Sequence, residues 1–367
     1  LDSLAWDLGD PTVSILNNPL DIIFNAENEP AVYLDFHGMK GPMTTQTLRG
    51  MAGHGSMHWR GDRTGGNDEA SAQPDSGAYN EVLSFKKFDV AFEGLLGRAS
   101  AGTDAEMQAF AGFVLEIVPP PNPIRNLDDS LTAMQLAGEQ FYNGPVSDGI
   151  ANCNGCHTNA PAQGFFGTDG RATFELETQH FKVPQLRNMY TKVGMFGMPA
   201  VQFFNTGDNS HKGDQIRGFG FLHDGSTDSL LRFFNAQAFQ FSGDAQRREM
   251  EQFMFAFDSN LKPVVGQQVT LTDTNSSVAG SRIQLLINQA VAGNADLIVK
   301  GTVGNEARGW HRDAAGTFTS DRVAELPLTD TQLRALANTP GQELTYTAVP
   351  PGSGIRMGIN RDEDGFL

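Results

Sequence analysis

Two cysteines separated by two residues and followed directly by a histidine are the feature that most constrains this chain. Cys153 and Cys156 are the only cysteines among its 367 residues, and His157 comes next. Thiols at this spacing match the two vinyl groups of a haem, and the adjacent histidine then lies beneath the iron as its proximal ligand. The motif therefore predicts a covalently attached haem c. A redox-active Cys-x-x-Cys pair and one half of a zinc site are the alternatives, although the zinc site lacks two further nearby ligands.

Charge and length restrict the partners and the organisation of the chain. The formal net charge of -17 disfavours nucleic acid and anionic membranes and favours a basic redox protein as the partner. A surface that is charged only for solubility is the alternative. A length of 367 residues suggests two or three domains. No apolar run reaches the length of a membrane span, and the sequence leaves oligomerisation open.

The haem motif also predicts where the protein works. Haem c is normally attached outside the cytoplasm, so we expect an exported protein. The sequence begins at Leu1 without an initiator methionine, a charged n-region or an apolar h-region. We interpret it as the processed form of an exported protein and expect a periplasmic or extracellular location.

Four landmarks occur in the same order in two successive stretches of the chain. They are a proline-initiated segment, a histidine-containing turn and two amphipathic helices. In the second stretch they lie at 184–188, 221–226, 228–239 and 245–257. In the first stretch they lie at 42–50, 57–62, 81–96 and 104–117. The order indicates an internal duplication, and chance similarity between amphipathic helices is the alternative.

Paired units with these strings resemble the bacterial dihaem cytochrome c peroxidase family, which includes methylamine-dehydrogenase maturation enzymes. The resemblance covers residues 1–258 and is carried by residues 48–50, 58–62, 153–157, 184–188 and 223–225. It implies a low-spin electron-transfer haem in the second unit and a substrate-facing haem in the first. The first unit shows no attachment motif, so either its haem is lost or its attachment peptide lies outside this sequence. A monohaem carrier, or a subunit of a larger multihaem assembly without peroxidase activity, is the alternative function.

We therefore expect a mainly α protein with two cytochrome c-like helical units in tandem and a small α+β module at the C-terminal end. The N-terminal unit is assigned to 1–118, a Pro-rich linker to 119–130 and the haem-carrying unit to 131–262. The α+β module with its acidic tail is assigned to 263–367. Its strands are predicted at 267–271, 296–303, 317–322 and 344–349, and its helices at 282–292 and 330–337.

The resemblance and haem chemistry together suggest further site residues. In the first unit, we expect a distal or propionate-binding set, with a packed loop as the alternative, formed by His58, Trp59 and Arg60. In the second unit, Arg187 and Lys182 are expected to pair with the haem propionates, because a guanidinium presents a fork that suits carboxylates. Solvated basic residues are the ordinary alternative.

The sixth ligand of the iron largely decides the redox potential, because a thioether raises it relative to a second histidine. Met195 is the first choice, since it lies at a usual distance after the motif and has glycines on both sides of its segment. Met198 and His223 are the alternatives. A methionine among aromatic residues also often only fills a core.

The end of the chain matches the opening of a calcium-binding loop. Alternate oxygen side chains are supplied by Asn360, Asp362 and Asp364, and Gly365 permits the turn. The pattern predicts a calcium site, with a solvated acidic tail as the alternative.

Overall fold

The computed structural model describes residues 5–6, 20–23, 33–36, 43–53, 57–59, 80–149, 151–157, 184–194, 218, 220–223, 225, 227–236 and 238–360. Contacts divide the chain into two compact units. The first consists of Leu1–Pro119 and Leu131–Asp258, and the second of Pro120–Ser130 and Ser259–Leu367.

The first unit contains two short antiparallel strand pairs. Strand β1 (Ala5–Trp6) pairs with β4 (Met43–Thr44), and β2 (Leu20–Ile23) pairs with β3 (Tyr33–Phe36). The helix predicted over 81–96 is broken into α1 (Glu81–Lys86), a 3₁₀ turn and α2 (Val90–Gly94).

Helix α3 (Asp104–Leu115) begins as predicted, with a reciprocal capping box between Thr103 and Glu106. Its buried stripe is narrower than the apolar pattern predicts. Met107, Ala111 and Val114 are buried, whereas Phe110 is 47% exposed and lies 5.6 Å from the ring of Phe92. Phe110 therefore lies at the surface beside Phe92 of α2, outside the buried stripe.

Two helices form the centre of the first unit. Helix α4 (Ala133–Asn143) begins after the N-cap Thr132 and crosses α7 (Asp244–Phe255). The helices approach closely at Gly138, where a Cβ atom would lie 2.2 Å from Glu249 O and 2.7 Å from Phe253 Cβ. The part of this unit that the structure describes also contains α5 (Cys153–Cys156) and α6 (Leu230–Phe233). The apolar cluster around the crossing includes Phe141, Tyr142, Leu186, Met189, Phe221, Leu230, Met250, Phe253, Met254 and Phe257.

The second unit is a five-stranded antiparallel sheet in the order β5-β9-β6-β7-β8. The strands are β5 (Gln268–Leu271), β6 (Asp296–Val303), β7 (Glu306–Arg312), β8 (Phe318–Ser320) and β9 (Leu344–Val349). The helices are α8 (Ser276–Val291), α9 (Asp330–Leu336) and α10 (Gly354–Gly358). The buried core includes Leu271, Ile283, Leu286, Leu297, Val299, Trp310, Phe318, Leu333, Leu344 and Tyr346. Residues 120–130 also belong to this unit, where Asp129 pairs with Lys262 at 2.8 Å.

The prediction of a mainly α protein with two cytochrome c-like helical units in tandem is wrong. The described residues are 37% helix and 14% strand, and they include the five-stranded sheet. Segments of the two predicted units also pack together inside the first compact unit. Thr44 N donates to His223 O at 2.7 Å, and Arg187 Nη2 donates to Gly50 O at 2.8 Å. The apolar clusters of the two stretches nevertheless remain separate, one around Met51, Met57 and Val114 and the other around the crossing of α4 and α7.

Candidate haem site

The Cys-x-x-Cys-His motif forms one helical turn that is capped at its start. Helix α5 has Asn152 as its N-cap, and Asn152 Oδ1 accepts from Gly155 N at 2.8 Å. The amide of Asn152 donates to Asn143 O at 3.0 Å, which ties the turn to the end of α4. The backbone N–H of His157 donates to Cys153 O at 2.8 Å. This turn gives Cys153 and His157 the spacing at which helical side chains face the same side.

The imidazole of His157 is oriented by a backbone carbonyl far along the chain. Its Nδ1 lies 2.9 Å from Pro184 O, 27 residues away. Because a carbonyl only accepts, Nδ1 carries the proton and Nε2 keeps the lone pair that a metal needs. Desolvation lowers the pKa of His157, and the Pro184 hydrogen bond and the charge of Asp148 act in the opposite direction. The neutral ring is the form that ligates a metal.

A buried tyrosine holds the main chain of the same histidine. Tyr142 Oη donates a hydrogen bond to His157 O. Tyr142 is 0% exposed, and its ring makes edge contacts with Phe253 at 5.4 Å and with Phe257 at 5.2 Å. The hydroxyl is therefore positioned by the helix pair α4 and α7 rather than by a loop.

Cys153 faces the apolar cluster of the first unit. Its Sγ lies 3.4 Å from Ser147 Oγ, and its side chain packs against the buried cluster around α4 and α7. The loop that carries Ser147 is closed by backbone hydrogen bonds from Ser147 N to Ala151 O at 2.9 Å and from Gln240 N to Ser147 O at 2.8 Å. The side chain of Cys156 lies outside the described residues.

Arg187 is a buried cation three residues after Pro184. It is 3% exposed, and its Nη2 donates to Gly50 O at 2.8 Å. Gln185 Oε1 accepts from Arg187 N at 2.7 Å and from Arg187 Nε at 3.3 Å. Burial lowers the pKa of Arg187 to about 10, so the guanidinium stays charged at neutral pH. Lys182, its predicted companion, lies outside the described residues.

Trp59 and His58 contact different parts of the first unit. Trp59 Nε1 donates to Thr44 O at 2.7 Å, and Lys192 Nζ lies 5.1 Å from the Trp59 ring. Burial lowers the pKa of Lys192 to about 8. The ring of His58 meets Phe88 edge-on at 4.6 Å. Arg60, the third member of the predicted set, lies outside the described residues.

Of the three proposed sixth ligands, only His223 is described. His223 is 6% exposed, and its backbone oxygen accepts hydrogen bonds from Thr44 N at 2.7 Å and from Thr44 Oγ1 at 3.1 Å. Met195 and Met198 lie outside the described residues. Gly194, the residue directly before Met195, is described. Its φ is 114°, and its N–H donates a hydrogen bond to Asp228 O at 2.9 Å.

The proposed calcium residues are described only at their first member. Asn360 N donates to Ile355 O at 2.9 Å after the last turn of α10. Within the residues that the structure describes, Asn360 Oδ1 is buried without a hydrogen-bond partner. Asp362 and Asp364 lie outside those residues.

Sequence reasoning missed two groups that contact the histidine. Pro184 O has no signature, because every residue carries a carbonyl and the separation from His157 is set by the fold. Tyr142 offered a weak signal, since a tyrosine on a buried helix face needs a partner for its hydroxyl. Its acceptor, a backbone oxygen 15 residues away, was not predictable from spacing.

Comparisons with protein-family models, with curated proteins and with solved structures find no match to this chain. No helix in the described part of the chain has the length and apolar character needed to cross a membrane. Three or more His, Cys, Asp or Glu side chains do not converge anywhere among the described ranges. A haem needs no such group, because the protein supplies at most two axial ligands to its iron.

Proposed function

We propose that this chain is an exported c-type cytochrome whose function is haem-mediated electron transfer. The observation that carries the proposal is the hydrogen bond from His157 Nδ1 to Pro184 O at 2.9 Å, directly after Cys-x-x-Cys. A redox-active pair of thiols does not require an oriented histidine at this position. A histidine that ligates haem iron does require it, because a hydrogen bond to one ring nitrogen sets the tautomer and the direction of the other nitrogen.

The roles of the chain's own residues follow from haem chemistry. Cys153 and Cys156 would form the two thioether links, and Nε2 of His157 would ligate the iron, which supplies the redox chemistry. Arg187 and Lys182 would hold propionates, since a buried guanidinium is suited to carboxylates. Met195 remains our choice for the sixth ligand, with Met198 and His223 as alternatives. The positive φ of Gly194, at 114°, would let the backbone turn directly before Met195.

The remaining proposals concern surroundings and partners. A net charge of -17 favours a basic redox protein as the electron partner. Covalent haem attachment favours the periplasm or the extracellular space. Asn360 Oδ1, which is buried and has no hydrogen-bond partner among the described residues, supports a calcium site completed by Asp362 and Asp364.

The central experiment is the denatured mass of the protein made in a host that attaches haem c. We expect the polypeptide mass plus one haem, and an absorption spectrum of a six-coordinate low-spin iron. The matched control is the double variant Cys153→Ser with Cys156→Ser, which should lose the covalent haem. A mass equal to the bare polypeptide in the unsubstituted protein would sink the proposal.

The same preparation tests the resemblance to dihaem cytochrome c peroxidases. Two haems, one of them high-spin and open to ligands, would favour a peroxidase-like enzyme. One six-coordinate haem would favour a monohaem carrier or a subunit of a larger assembly.

A further inference from the structure

The main-chain end of the haem motif is held by a group that no haem-binding pattern contains. Tyr142 Oη donates to His157 O, and Tyr142 lies on α4, outside the motif. The last carbonyls of a helical turn have no partner within the turn, so an outside donor is needed where they are buried. His157 leaves the helical conformation, with φ -98° and ψ 67°, at the residue whose carbonyl Tyr142 contacts.

The tyrosine itself has little freedom to move. Its ring touches Phe253 and Phe257 of the α7 region edge-on, at interplanar angles of 63° and 88°. One turn earlier on α4, Gly138 brings the two helices so close that a Cβ atom would lie 2.2 Å from Glu249 O. A donor on a tightly packed helix pair holds its acceptor more narrowly than a donor on a loop does.

His157 is therefore held at three points by three different elements. Its N–H donates to Cys153 O, its ring Nδ1 to Pro184 O, and its carbonyl accepts from Tyr142. The hydrogen bond from the ring Nδ1 controls the tautomer of His157. The hydrogen bond to its carbonyl oxygen controls the backbone torsion at the residue from which the ring extends. Both therefore determine the direction of Nε2.

We propose that Tyr142 is a positioning residue for the proximal ligand, whose hydroxyl sets the orientation of the His157 imidazole and thereby the redox potential. The inference rests on the proposed haem function. Groups that orient a ligating histidine tune the basicity of the ligand and hence the metal. Tyr142 acts through His157 and need not touch the haem.

The test compares Tyr142→Phe with Tyr346→Phe in the complete, haem-loaded chain. Both changes remove one hydroxyl from a fully buried tyrosine, and Tyr346 belongs to the second compact unit. The readouts are the denatured mass, the midpoint potential and amide hydrogen exchange of residues 153–157. We expect unchanged haem content in both, and in Tyr142→Phe alone a shifted potential and roughly fivefold faster exchange, as follows from losing one hydrogen bond.

The outcomes separate this inference from the proposed function. A haem-loaded Tyr142→Phe protein with unaltered potential and exchange would overturn the positioning role alone. A bare-polypeptide mass in the unsubstituted protein would overturn the haem function and the positioning role with it. Should Tyr142→Phe fail to fold, NMR of the unsubstituted protein decides. A slowly exchanging Tyr142 hydroxyl proton close to His157 supports the inference, and a rapidly exchanging one contradicts it.

Discussion

At the level of single residues, the 2.9 Å contact between His157 Nδ1 and Pro184 O determines which ring nitrogen is left for a metal. Two cations of the first unit are also fully or partly removed from water, Arg187 and Lys192. Arg187 keeps its charge by donating to Gly50 O and Gln185 Oε1, and Lys192 lies over the ring of Trp59. Burying a charge costs free energy unless polar or aromatic partners replace water, and these contacts supply such partners.

Met195→Ala tests the sixth ligand, and Met198→Ala, three positions later in the same glycine-containing segment, is the matched control. If Met195 ligates the iron, its removal should turn the haem high-spin or lower its potential, because a thioether stabilises the reduced form. Absorption spectra and redox titration measure both effects. An unchanged Met195→Ala spectrum with an altered Met198→Ala spectrum would transfer the role to Met198, and no change in either would favour His223.

Lys192→Met tests the buried ammonium. Burial lowers the pKa of Lys192 to about 8 from the usual lysine value of 10.5, so above pH 8 the folded state loses the proton before the unfolded state does. The free energy of unfolding should therefore rise with pH between these two values in the unsubstituted protein relative to the variant. Below this window the difference should be flat.

Urea unfolding at pH 7, 8, 9 and 10 measures this pH dependence, with the exposed lysine variant Lys87→Met as the control. Equal pH dependence in the unsubstituted protein and in Lys192→Met would contradict the prediction.

At the level of secondary-structure elements, the crossing of α4 and α7 supports the motif turn. Tyr142 reaches the turn from α4, Asn152 ties the turn back to Asn143, and the aromatic residues of the α7 region surround Tyr142. The close approach depends on Gly138, because any side chain there would meet the backbone of Glu249. Backbone cannot move aside as a flexible side chain can, so this contact allows little relaxation.

Gly138→Ala should destabilise the protein by about 1–3 kcal/mol through overpacking. The matched control is Gly112→Ala on α3, where a Cβ atom would meet nothing within 4 Å. That change should stabilise by about 0.5–1 kcal/mol, because glycine loses more backbone freedom on folding. Chemical denaturation of both variants measures the difference, and a Gly138→Ala variant as stable as the parent would show that the helices can separate without cost.

At the level of the whole molecule, the chain has two compact units with separate apolar cores. The first contains the motif turn and the aromatic cluster, and the second contains the five-stranded sheet with α8 and α9. Sites in separate cores without shared partners contribute to stability nearly independently. A defect in the sheet core is therefore expected to leave the surroundings of the Cys-x-x-Cys-His turn unchanged.

Leu286→Ala should lower the stability of the second unit by about 2–5 kcal/mol, because Leu286 is fully buried beneath the sheet. Val278→Ala on the same helix is the control, since Val278 is 77% exposed and its loss should change stability by less than about 0.5 kcal/mol. Urea unfolding followed by far-ultraviolet circular dichroism measures stability, and the Soret band reports on the haem. A shifted Soret band in folded Leu286→Ala would contradict the independence of the two cores.

Much of the local structure could be predicted because its causes are local. The capping box of Thr103 and Glu106, the buried face of α7 and strand β6 follow from neighbouring residues and from periodicity. Strand β7 was missed because Glu306–Arg312 lacks alternation and β-branched residues. The best sequence signal for β7 was the Gly304-Asn305 pair before it, which is typical of a hairpin turn. In the structure both residues have positive φ.

The prediction of haem chemistry at the candidate site rests on five adjacent residues, since the spacing of two thiols and a histidine is a property of the chain itself. Only the tertiary structure decided what holds them. Pro184 O, Tyr142 Oη and the Gly50 carbonyl that binds Arg187 come from distant segments, and backbone groups leave no mark in a sequence. A sequence pattern shows which faces of a helix must be buried, but it does not show which segments they pack against. For this reason two similar stretches that predict two separate units lie within one compact unit.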